Sequence, residues 1–252
     1  MASTMSWAAN ASSTPPVDSS MVRVPGGTMK PFYPVKKGQI VEVRAFYFDR
    51  YPVTNAEFSA FVAANPKWRR SSIPTLFGEK TYLRHFKNDT EIADTRDANK
   101  PVTWVSWFAA SAYCRAHGKR LPTESEWEYA ARADEKSIDG MTDDEGVARI
   151  LKWYAKPKTE LHDVGSRPPN FYGVYDLHEL VWEWVSDFSA SLVSADNRQE
   201  GDREVQRFCG GATIGSSDVG NYAAFMRFAF RSSLSASYTV PNLGFRCAKD
   251  GG

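Results

Sequence analysis

The chain has 252 residues, with 31 Lys plus Arg against 30 Asp plus Glu and a formal net charge of +1, so it lacks the basic excess of a phosphate-binding surface. That argues against nucleic acid as a partner. Hydrophobic residues at 42% and charged residues at 24% argue against disorder of the whole chain, and 34 aromatic residues beside 17 Gly and 14 Pro suit a loop-rich fold with a core of large rings.

Residues 1–20 are rich in Ser, Ala, Thr and Pro without apolar periodicity and read as a disordered leader or cloning remnant. They lack the charged start and apolar run of an export signal. No run of 18 apolar residues occurs in the chain, so no membrane-spanning helix is expected. From Met21, MVRVPGGT predicts a short strand into a Gly-Gly turn, and QIVEVRAFYFDRYPVT alternates like a half-buried strand. A helix follows: Thr54 and Glu57 form a capping box, Phe58, Phe61 and Val62 give the buried face, and Pro66 ends it. Residues 66–103, with Lys67, Arg69 and Arg70, are expected to be a long surface loop.

Ser106 can cap a second helix with Trp107, Ala110 and Cys114 on its inner face, and Gly118 stands at the left-handed C-terminal position. Thr123 and Glu126 form another capping box, with Trp127, Ala130 and Ala131 facing inward. The acidic stretch Asp139–Glu145 has no EF-hand spacing and is expected to be a solvated loop. Beyond about residue 150 short apolar runs alternate with Gly, Pro, Asn and Ser, as in short strands joined by irregular loops. No linker or repeat interrupts residues 21–252, which are expected to form one α+β domain.

Four stretches in order, YPVTNAEFSAFV (51–62), PVTWVSWFAASAYCRAHGKRLPTESEWEYAAR (101–132), PPNFYGVYDLHELVWEWVSDF (168–188) and NLGFRCA (242–248), resemble the formylglycine-generating enzyme family of sulfatase-modifying factors. The resemblance implies a single irregular C-type-lectin-like domain over about residues 21–248. It also implies a copper ion bound by two cysteines in oxidase members, since soft thiolates suit Cu(I). Aligned backward from NLGFRCA through Arg231, those two positions fall on Asp218 and Ala223, and the serine of a Gly-Gly-Ser strand becomes Ala212. No copper and no copper-dependent formylglycine formation are therefore expected. The stretch is similar to a divergent branch, the NirV-type proteins associated with copper nitrite reductase.

YDLHELVWEW resembles the family's calcium loop. The match implies carboxylate oxygens from Asp176 and Glu183 and carbonyls from Glu179 and Val181 around a structural calcium, with pairing to Arg side chains as the alternative. Glu179 replaces a Gly that can need a left-handed backbone, and Leu180 replaces an Asn. Cys114 and Cys247 sit where family members from oxidising compartments form a disulfide, which points to the periplasm or the cell exterior; two buried thiols are the alternative. Cys209 is then the odd thiol, a candidate nucleophile, redox centre or soft ligand, set against a buried small side chain. Trp182, Arg227 and Arg231 lie at family positions near the groove, where an Arg can hold a carboxylate or carbonyl or belong to a buried pair. The four His show no metal spacing. The expected function is an accessory or maturation factor for a protein or peptide partner, possibly a copper enzyme such as nitrite reductase. The alternatives are a non-catalytic lectin-like binding module and a PvdO-like enzyme oxidising or tautomerising a small molecule.

Overall fold

The computed structural model describes residues 20–30, 40–155, 160–188, 226–227 and 229–251. Strand β1 (Met21–Val24) pairs antiparallel with β4 (Phe46–Asp49), which pairs with the C-terminal strand β7 (Ala248–Asp250), giving the order β1-β4-β7. Val22 faces Phe48, and Phe48 faces Ala248. The alternating run expected as one strand is two. Its first part, β3 (Val41–Val43), pairs with β2 (Gly27–Met29), and after Arg44-Ala45 the chain joins the other sheet as β4. Gly27 lies inside β2, where a Cβ would come within 2.4 Å of the Tyr129 hydroxyl.

The capping signals hold. Thr54 and Glu57 close the capping box of α1 (Asn55–Ala64), and Asn65-Pro66 ends it. Ser106 Oγ accepts from Ala109 N at the start of α2 (Trp107–Ala116), and Gly118 has φ +65° beyond its end. Thr123 and Glu126 cap α3 (Glu124–Ala131). Rings from these elements interlock in the core: Phe58 meets Phe61 at 5.4 Å, and Tyr113 meets Phe245 at 5.4 Å. Phe46, Phe48, Phe58 and Phe245 are each at most 1% exposed.

Two expectations change. The 66–103 segment is no simple surface loop, because Tyr82, Leu83 and Phe86 are buried in the main core. Its basic residues serve the interior: Arg69 donates to the carbonyls of Val62 and Ala63 at the end of α1, and Arg70 to those of Leu83 and Phe86. The carbonyls a helix end leaves without partners explain that use of the charge run. The acidic stretch begins a helix instead of a loop. Asp143 caps α4 (Asp144–Tyr154) by accepting from Gly146 N, and Val147, Ile150 and Trp153 form its buried stripe.

Candidate functional site

A two-residue parallel pair builds the site. Strand β5 (Trp182–Glu183) lies beside β6 (Leu243–Gly244), with Trp182 facing Leu243 and Glu183 facing Gly244. Gly244 is required there, because a Cβ would stand 2.7 Å from the Val102 carbonyl oxygen. The pairing brings the WEW motif against the GFRCA motif. Cys247, three residues after β6, is bonded to Cys114 of α2 across a separation of 133 residues, so the expected disulfide is present. Both cysteines are fully buried.

Glu183 is sealed in the interior with Arg246. Arg246 Nη2 donates to Glu183 Oε1 at 2.8 Å and Nε donates to both oxygens, while Trp127 Nε1 donates to Oε2 at 2.7 Å. The remaining Arg246 donors reach the carbonyls of Asp49, Arg50 and Tyr175. A lone Arg within the apolar run NLGFRCA was the sequence signal for this pair, since a buried guanidinium needs a carboxylate.

Arg227 and Arg231 sit on a helical turn packed on α3 and are 3% and 5% exposed. Arg227 grips Glu128 through Nε and Nη2, with the shortest bond at 2.8 Å, and Nη1 donates to the Tyr154 hydroxyl. Arg231 Nη1 donates to Glu128 Oε1 at 2.7 Å and Glu124 Oε1 at 2.9 Å, and its guanidinium lies 4.9 Å from the Trp127 ring centroid. Burial pushes the Glu128 carboxyl up, but the charges of Arg227 and Arg231 outweigh it and hold the pKa at about 2. Burial raises that of Glu124. The buried-pair alternative thus describes both arginines as folded here. Sequence reading missed their partner Glu128, although the alternating Glu124, Glu126 and Glu128 of a buried helix signalled it.

Trp182 is half-buried in a column of rings, 5.0 Å from Tyr154 and 4.6 Å from Phe230. Aromatic surface is therefore what this layer turns outward. Cys209, Asp218 and Ala223 lie outside the described residues.

The expected calcium ligands are only partly available. Asp176 and Glu179 have left-handed backbones, φ 58° and 73°, so the loop keeps the turn that a Gly would favour. Asp176 Oδ2 accepts from Gly165 N at 2.6 Å, and Oδ1 is buried without a hydrogen-bond partner. The other carboxylates are committed, Glu183 to Arg246 and Glu179 to Arg167. Among the described residues no three His, Cys, Asp or Glu side chains converge on a point. As arranged, the four residues do not fit a shared calcium site, and Arg246 carries the neutralising charge at Glu183. His178, beside this loop, donates from Nε2 to the Ala131 carbonyl at 2.9 Å, which leaves Nδ1 a buried lone pair. Burial, with the charge of Arg227, lowers its pKa to about 4.

A family model for sulfatase-modifying factor enzyme 1-like domains matches residues 8–251. The formylglycine-generating enzyme of Streptomyces coelicolor is 31% identical, the match covering 83% of this chain and 80% of the relative. The inactive C-alpha-formylglycine-generating enzyme 2 of Bos taurus is 30% identical over 92% of this chain and 89% of its own. PvdO from Pseudomonas aeruginosa superposes with a TM-score of 0.52 at 22% identity, covering 91% of this chain and 94% of that one. CarF does so with a TM-score of 0.51 at 17% identity, covering 94% and 99%. These two likenesses bear on the fold.

Proposed function

The chain belongs to the sulfatase-modifying factor enzyme 1-like family, and from that premise we propose that it is an accessory or maturation factor for a protein partner, without copper-dependent formylglycine activity. One observation carries the reading. Of three cysteines, Cys114 and Cys247 are spent on a buried disulfide, so Cys209 is the one thiol left to a soft metal. A copper ion held by two thiolates from the same chain does not fit that donor set. The similarity to a relative described as inactive supports the reading.

The partner is a protein or peptide, and its contact is aromatic and apolar in character. Arg227 and Arg231 are buried against Glu128, whereas Trp182, Tyr154 and Phe230 keep part of their rings at the surface. The specific version names a copper enzyme such as nitrite reductase. A periplasmic or secreted location goes with the disulfide, because structural disulfides are rare in the cytosol.

Aerobic incubation with Cu(I) and a CxPxR peptide, read by mass spectrometry, is expected to leave the peptide cysteine unconverted. Formylglycine would overturn the negative half of the proposal. Copper loading of an apo nitrite reductase, with and without the chain, tests the positive half. Unchanged loading together with no complex by size-exclusion chromatography would remove that partner.

A further inference from the structure

A cavity of ≈ 210 Å³ opens between α4 and the turn that carries Asp176. Its charged lining is mostly self-satisfied. Glu135 pairs with Arg149 at 3.5 Å, Glu179 pairs with Arg167, and Asp134 Oδ1 accepts from the backbone N–H groups of Lys136 and Ser137. Two lining residues are left with acceptors that nothing answers, Asp176 through Oδ1 and His178 through Nδ1. Asp176 is 7% exposed and carries the charge. Four carboxylate residues face two arginines, so the cavity favours a cation.

The kind of cation follows from the other walls. Ala133, Pro168, Val174 and Leu177 give the cavity an apolar flank, which a bare metal ion does not use. A hard cation seeks oxygen and would leave the His178 nitrogen unanswered. Neither unpartnered atom is open to solvent, so the group that meets them arrives dehydrated at the tip of a stem. A primary ammonium on a methylene chain has these properties: three N–H donors, one positive charge and an apolar stem that packs along such walls. We infer that this cavity is a binding site for an alkylammonium group, anchored by Asp176 and accepted also by His178. Either a lysine side chain of a partner or a free diamine can supply that group. The inference does not depend on the oxidase question and would stand if formylglycine were formed.

The test is a nuclear magnetic resonance titration of the full chain in EDTA. Three probes are used: cadaverine, a short lysine-bearing peptide, and the same peptide with its lysine acetylated. Saturable shifts at residues around Asp176 are expected with cadaverine or the free-lysine peptide and not with the acetylated one. The probe that binds more tightly identifies the source. Asp176→Asn is expected to weaken binding about tenfold, as removal of a charged hydrogen-bond partner does, and His178→Phe several-fold. Glu135→Gln at the mouth disturbs the fold least and is expected to weaken binding about twofold at low salt, with the difference lost at high salt. Absence of saturable binding by either amine overturns the inference. So does equal binding by wild type and a folded Asp176→Asn, or saturation of these residues by calcium alone after EDTA is removed.

Discussion

Glu128→Gln is the most informative single change, because one carboxylate holds two buried cations. Its side chain is 7% exposed, and those of Arg227 and Arg231 are 4% and 6% exposed. Glutamine keeps the volume and one acceptor but removes the charge, so Arg231 retains only Glu124, 29% exposed at its side chain, and Arg227 retains the Tyr154 hydroxyl. Breaking a buried pair by removing one partner costs about 3–5 kcal/mol. For a chain of this size that is on the order of 10 °C in Tm. Calorimetry and urea unfolding measure it. The pH dependence adds a second readout. The Glu128 pKa is about 2 in the folded state, below the usual carboxylate range, so its contribution is complete above the unfolded value and is lost as pH falls toward 2. Glu128→Gln is expected to flatten the acid limb between about pH 4.5 and 2, and Arg227→Met in the same background to recover part of the loss. A decrease smaller than about 1 kcal/mol, the scale of an exposed pair, would refute the reasoning that Glu128 carries the arginines.

Three further outcomes are expected. Replacing both Cys114 and Cys247 by Ala should cost up to about 5 kcal/mol by chain entropy for so long a loop, read by urea unfolding with and without reductant; equal stability of variant and wild type would deny the disulfide a role. Glu179→Gly should relieve a left-handed backbone costing roughly 1 kcal/mol while losing only the part-exposed contact with Arg167, so a raised or unchanged Tm is expected and a clear fall would show the ion pair to be the larger effect. His85 donates from Nε2 to Asn55 Oδ1, and burial holds its pKa at about 4, with Asp97 raising and Arg70 lowering it. Its neutral form is native, so stability is lost as pH falls from about 6.5 to 4; His85→Gln should remove up to about 1.4 kcal/mol per pH unit of that slope, and an unaltered slope would refute the assignment.

Much of the fold was legible because its signals are local. Thr54 with Glu57, Ser106, and Thr123 with Glu126 each satisfy backbone groups three residues away, and no tertiary information is needed to read them. Helix α4 carried the same kind of signal in Asp143, Val147 and Ile150, but the acidic composition of the stretch masked its period. The 66–103 segment was misread for another reason. Its buried residues Tyr82, Leu83 and Phe86 are anchored by arginines bonding to distant carbonyls, a use of charge that spacing does not reveal. At the site, the motifs named Glu183, Arg227 and Arg231 but not their partners Arg246 and Glu128, which come from elsewhere in the chain. Pairing across 63 residues, or 99, is a tertiary fact.

The short parallel contact between Trp182–Glu183 and Leu243–Gly244 also sets an order of events during synthesis. Until the segment from Leu243 to Asp250 has left the ribosome, Glu183 has no guanidinium, Cys114 has no bonding partner, and β4 has an unpaired edge toward the position of β7. The nascent domain therefore holds a buried-to-be carboxylate, a reactive thiol and an open strand at the same time, all of them closed by one late segment. A ribosome stalled before residue 243 would present a chain that chaperones and oxidoreductases can still engage, and release would convert it to the closed form in a single docking step.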